Sequence, residues 1–194
     1  MEKGRLEAFS DGVLAVLITI LVLELKIPHG DDMHALRAAA PTFCAYVLSF
    51  IYLGIYWNNH HHMLSLARSV DGRVLWANLH LLFWLSLVPF ATAWMGESHL
   101  APLPTALYGV ILAGAGIAYL ILQRSIIRCD GESSELRIAI GRDLKGKASA
   151  VAYCAAVALT FVQPWLSAVV YVGVALMWLV PDPRIERRAR DHAP

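Results

Sequence analysis

Six blocks of mainly apolar residues, each near the length that crosses a bilayer, constrain the fold of this chain more than any other feature. About 20 residues rising 1.5 Å each span the hydrocarbon. The blocks run over residues 8–25, 38–57, 74–94, 105–123, 148–162 and 165–180. The last two are short and joined only by Gln163 and Pro164, which predicts a tight helical hairpin. Strands do not compete. An open sheet edge finds no hydrogen-bond partner in lipid, and a barrel is written as alternating segments of about ten residues rather than continuous blocks. The expected fold is all-α and integral to the membrane. A single six-helix transmembrane domain spans residues 1–194, with a cytoplasmic loop at 124–147 and a cytoplasmic tail at 181–194.

Composition narrows the function classes. Hydrophobic residues make up 58% of the chain and charged residues 16%, whereas soluble domains carry about a quarter charged residues. A formal net charge of +1 without a basic patch argues against nucleic acid as a partner. Cys44, Cys129 and Cys154 are odd in number and widely spaced, so neither a disulfide framework nor a thiol metal site is expected. Lys3 and Arg5 ahead of an apolar run resemble the start of a secretory signal. Glu7 and Asp11 interrupt that run and no small-x-small site follows Leu25, so cleavage is not expected. Prolines mark block edges at Pro28, Pro102, Pro104, Pro181 and Pro183, while Pro41 and Pro89 fall inside, and Pro89 is expected to kink the third helix.

Lys and Arg in loops set the orientation. With the N-terminus in the cytoplasm, only Lys26 and Arg37 of the 16 Lys and Arg residues fall outside. The reading is a multi-pass protein of the bacterial plasma membrane with both termini cytoplasmic. The outer loops carry Asp31, Asp32 and Glu97, and Glu24 lies close by, where acids raise the local cation concentration or form a plain solvated loop.

The first block, "RLEAFSDGVLAVLITILVLELKIP", places Arg5, Ser10 and Asp11 at the edge of an apolar helix. At 100° per residue, Gly12, Val16, Thr19, Ile20 and Leu23 share an arc of about 100°, and Asp11 points about 140° away from Val16. The row fits two uses. It packs against lipid or other helices, or several copies surround an axis and close it with apolar rings that exclude water.

The spacing Arg5-x-x-x-Phe9-Ser10-Asp11, followed by Ala15, Thr19 and a leucine-rich tail to Pro28, resembles the R-x-x-x-F-S-D signature of bacterial members of the transmembrane protein 175 potassium channel family. The likeness extends to "YWNNHH" at the end of the second block and "WANLHLLFWLSLVPF" through the third. The resemblance implies a potassium-preferring channel with passive permeation, in which the first helix lines the pore. One set of six helices then implies a homotetramer in lipid, with potassium ions permeating and no cofactor. Like the family, the chain has no T-V-G-Y-G filter sequence. Val16 takes the position of the main hydrophobic constriction, Ile20 and Leu23 those of further apolar rings, and Thr19 that of a residue distinguishing potassium. Valine is smaller than the usual occupant, which implies a wider constriction. The signature residues Arg5, Phe9, Ser10 and Asp11 are expected to join a structural polar network with Trp57, His60, Asn78 and His80. Asp11 is expected to face its own subunit and fix the cytoplasmic end of the pore helix, since a buried charge must be paired.

Three other uses were weighed. His60, His61 and His62 suggest a metal, yet consecutive helical residues point 100° apart and cannot face one ion, so no metal site is expected. Ser10, Asp11 and a histidine suggest a hydrolytic triad, yet no oxyanion site accompanies them, and no enzyme is expected. A secondary transporter of a cation or small solute is the alternative function. It predicts inverted repeats and helices broken at mid-membrane, and the first helix has no proline or glycine after Gly12.

Overall fold

The computed structural model describes residues 2–140 and 144–179, and all regular structure among them is helical. The expected tail at 181–194 lies outside the described residues. Helix α1 (Lys3–Leu23) is followed by α2 (Met33–Ser65), whose N-cap Asp32 accepts a bond from the Ala35 amide at 2.8 Å. This second helix reaches well beyond 38–57 at both ends. Its cap fixes the start, and "YWNNHH" continues the helix rather than ending it.

The third block is two helices, α3 (Gly72–Ser86) and α4 (Val88–Glu97), meeting at Leu87. Pro89 sits in the first turn of α4. Its missing N–H leaves the ladder one bond short there, and the helix is interrupted at Leu87, two residues before the proline. Asp71 caps α3 through the Val74 amide at 2.9 Å. The turn into the next helix holds His99 and Leu100 at φ of 51° and 62°, a left-handed conformation that non-glycine residues adopt at a cost.

Helix α5 (Pro102–Asp130) starts on two prolines in its first turn and ends at Gly131, where φ is 74°. It therefore continues seven residues past the expected end at Gln123. The segment expected to be a polar loop is largely helical: the end of α5, a 3-10 turn at 131–133 and α6 (Glu135–Ile140). Leu136 and Ala139 of α6 are buried, so this link docks on the bundle although it is too short for a core of its own. Helices α7 (Leu144–Thr160) and α8 (Pro164–Leu179) form the expected hairpin. Thr160 and Ser167 close it, with hydroxyls 2.8 Å apart, and Ser167 donates to the Ala156 carbonyl at 2.7 Å.

Among the described residues, four stretches are long and apolar enough to cross a membrane: α1, α2, α3 with α4, and α5. The α8 helix is apolar but shorter, and α7 has 17 residues. Helix α5 is the hub, packing against α3, α4 and α7 and burying Leu112, Ala115, Ala118, Leu122 and Ile126. Small residues bring the neighbours close. A Cβ at Gly114 would come within 2.5 Å of the Trp84 ring, and one at Gly96 within 2.7 Å of the Thr42 backbone. Close approach of this kind is how helices gain contact in lipid, where burial of apolar surface alone drives little association.

Buried polar groups are tied within the bundle. Thr92 donates to the Val88 carbonyl at 2.7 Å, so the Ser49 hydroxyl 2.7 Å away supplies its proton to Thr92 and receives one from Tyr108 at 2.9 Å. Tyr52 and Tyr171 reach the carbonyls of Tyr171 and Thr105 at 2.6 and 3.0 Å. These bonds tie the start of α5 to the middles of α2, α4 and α8. No unsatisfied buried side-chain N or O is found among the described residues.

Candidate functional site

Helix α1 has two unlike faces. Leu6, Ser10, Leu14, Leu17 and Leu21 follow the i, i+4, i+7 rule and are buried against the rest of the subunit. Gly12, Thr19, Val16 and Leu23 lie opposite and are exposed, the last two at 55% and 79%. Ile20 stands at the margin and is half-buried. With Glu24 it lines a cleft shared with Ser86, Pro89, Phe90 and Glu97 of the third block. Across this cleft Lys26 pairs with Glu97 at 2.7 Å. Of the row that the resemblance assigns to the pore, Val16, Thr19 and Leu23 are thus exposed in the subunit and Ile20 is partly covered by the third block.

Thr19 donates its proton to the Val16 carbonyl at 2.7 Å. Its hydroxyl oxygen is left with lone pairs on the uncovered face, which suits a cation and not an anion.

The polar residues separate into two groups. Ser10 is fully buried and donates to the Leu6 carbonyl at 2.9 Å. Its oxygen therefore accepts from the Asn78 amide at 2.9 Å, and the Asn78 carbonyl, 2.7 Å from His60 Nε2, accepts the imidazole proton. The direction of each bond follows from the one before it: His60 to Asn78 to Ser10 to the α1 backbone, with the His60 proton on Nε2. Three helices meet on this chain.

Asp11 lies elsewhere. It is exposed, and Trp57 Nε1 donates to it at 3.0 Å. Asp11 thus reaches its own subunit through Trp57, but from an exposed position rather than a buried one: Ser10, one residue earlier and 100° round the helix, is the buried residue. Of the partners considered for the acid, Trp57 contacts it, whereas His60 and Asn78 serve Ser10. Arg5 and Phe9 are exposed, and His80 accepts from Trp84 one turn along its own helix at 3.0 Å, so these three stand apart from the buried chain.

Sequence reasoning missed two further ties at this end. Lys3 donates to the Ser65 carbonyl at 2.8 Å, binding the start of α1 to the end of α2. Asp130, at the end of α5, accepts from the Arg68 and Ser69 amides at 3.1 to 3.2 Å and so holds the α2–α3 connection. Neither has a spacing signature, because each joins residues more than 60 positions apart.

Among the described residues His60 is committed to Asn78, and His61 stacks on Trp57 with centroids 6.4 Å apart. His60 and His61 thus serve different partners, and the rings of His61 and His62 meet edge-on with centroids 5.6 Å apart.

Comparison with known proteins agrees with this architecture. The family model described as endosomal/lysosomal potassium channel TMEM175 matches residues 5–89, which hold the signature and the whole Ser10–Asn78–His60 chain. A protein named a potassium channel in a Chryseobacterium species is 53% identical over 192 residues, covering 99% of this chain and 100% of its own. Another, in Streptomyces collinus, is 40% identical over 129 residues, 61% of each chain. The crystal structure of a lysosomal potassium-selective channel TMEM175 homolog from Chamaesiphon minutus superposes with a TM-score of 0.81 at 30% identity, over 94% of this chain and 98% of that one. With its multi-pass apolar helices, its signature at the start of α1 and near full-length relatives of this kind, the chain belongs to the TMEM175 family of potassium channels.

Proposed function

We propose that four copies of this chain assemble around α1 and pass potassium ions down their gradient through apolar rings, without a T-V-G-Y-G filter. Six helices of each subunit cross the bacterial plasma membrane, with both termini in the cytoplasm. The observation that carries the reading is the division of α1: its leucine and serine face is buried, while Val16, Thr19 and Leu23 are exposed. Lipid can cover an apolar row, but this one holds the Thr19 hydroxyl among its aliphatic side chains, and a shared axis gives that oxygen a use and excludes water when closed.

Val16 forms the main constriction, with Ile20 and Leu23 as further rings. Four Thr19 oxygens supply weak ligands to a partly dehydrated cation, which favours potassium because it gives up water more readily than sodium. Glu24 at the outer cleft, with Asp31 and Asp32, concentrates cations at the entrance, while Lys26 neutralises Glu97. The Ser10–Asn78–His60 chain and the Asp11–Trp57 bond hold the cytoplasmic end of α1 at a set rotation, so that its row meets the axis. No cofactor takes part.

Purified protein in a planar bilayer, with potassium on one side and sodium on the other, tests the proposal. The expected result is a current reversing near the potassium equilibrium potential, from particles of tetrameric mass. Saturable uptake coupled to a second solute would establish the transporter instead.

A further inference from the structure

Away from α1, a cavity of about 50 Å³ opens between α2, α5, α7 and α8. By the same measure a water molecule needs about 10–15 Å³, so the space holds several groups of that size. It is bounded at one end by the Tyr52 bond to the Tyr171 carbonyl and at the other by the Trp178 bond to Ser149, at 2.6 and 2.7 Å. Its walls are mostly apolar: Ile55, Ala113, Leu120 and Ala150 between the rings of Tyr56 and Tyr153. A Cβ placed on Gly116 would meet nothing nearer than 3.9 Å, in contrast to Gly114 half a turn away. An apolar space of this kind does not hold water well.

Two observations indicate the occupant. Ile117 and Val151, each next in the chain to a lining residue, are exposed apolar side chains at 53% and 71%, a surface that suits lipid. At the Trp178 end, the Lys145 ammonium lies 5.9 Å from the centre of that indole. Lys145 and Lys147 belong to the first turn of α7, the helix end that favours anions. Tryptophan with lysine beside an apolar space is the composition of the boundary between hydrocarbon and headgroup.

We infer that this cavity receives a short stretch, a few methylenes long, of an acyl chain of an acidic membrane lipid, whose phosphate is held by Lys145 beside Trp178. The site is structural in origin and independent of the pore. In the orientation proposed above it opens on the cytoplasmic leaflet.

Nanodiscs containing phosphatidylglycerol or phosphatidylcholine with a photoreactive acyl chain test this. After irradiation, peptides bearing Tyr153 and Trp178 should carry several-fold more label from phosphatidylglycerol. Gly116→Phe fills the cavity and should remove the label. Ala113→Phe narrows it from a second position and should act alike, which keeps the test open if one variant does not fold. Lys145→Gln should bring the two lipids to equal labelling. Unchanged labelling in whichever filled variants fold would overturn the site. Equal labelling by both lipids in the unaltered protein would overturn the acidic headgroup. The readout is covalent label and not current, so its failure leaves the channel reading where it stands.

Discussion

Helices α1 and α5 are both apolar and of spanning length, but they are used in opposite ways. In its most apolar window α5 is 56% buried and α1 is 28% buried. The hub helix makes its contacts inside the subunit through small residues at close approach, such as Gly114 under Trp84. The N-terminal helix commits one face to the subunit and leaves the other open, and it carries the polar signature at the place where it must be oriented. In a membrane, therefore, apolar character alone does not tell a core helix from one reserved for an assembly, and the side on which polar bonds are made does.

The largest expected effect breaks the hub. Gly114→Leu drives carbon atoms into the Trp84 ring and should cost about 3 kcal/mol or more, at the upper end of overpacking, seen as loss of a monodisperse peak on size exclusion. Next is the anchor of α1. Asn78→Leu strips the partners of buried Ser10 and His60, at about 1–3 kcal/mol for each group left unsatisfied. Thermal unfolding in detergent should show a lower midpoint, and an unchanged midpoint would remove the chain from the account of stability.

A finer test separates the buried chain from the exposed acid. A double-mutant cycle on Ser10→Ala and Asn78→Ala should give a coupling of about 1 kcal/mol, and the cycle on Asp11→Asn and Asn78→Ala below about 0.5 kcal/mol. Coupling of equal size in both would return Asp11 to the interior. Trp57→Phe removes one half-exposed donor from Asp11, and its cost to the midpoint should fall below about 1 kcal/mol.

The smallest effect on subunit stability belongs to the uncovered face. Thr19→Val and Leu23→Ala should each change it by less than about 0.5 kcal/mol. Bilayer recordings should nevertheless show lower preference for potassium over sodium in Thr19→Val and a several-fold larger current in Leu23→Ala. A stability loss as large as that of Asn78→Leu would make this face part of the subunit core and end its contrast with α5.

Much of the architecture was legible because hydrophobic length is a local property. The end of α1 near Leu23, the hairpin at Gln163 and Pro164, and the break near Pro89 each depend on a few neighbouring residues, whereas α1 starts five residues before the expected block. Element ends were less legible. Helix α2 is prolonged by the Asp32 cap, and α5 runs to Gly131 through "QRSIIRCD", whose charges suggested a loop although its Ile126 is buried in the core. At the site, the residue types were readable but their pairing was not. Asp11 drew attention as the charge, while Ser10 was the residue turned inward.

By itself the sequence determined that this is an all-helical membrane protein with a polar signature opening its first helix, since solvent transfer and helical period act residue by residue. Only the tertiary structure decided which face of α1 is covered, that Asn78 reaches Ser10 across 68 positions, and that a gap is left between α2 and α7. Those depend on how far each helix is turned about its own axis. That rotation is settled by the sum of close contacts with other helices, which no local pattern contains.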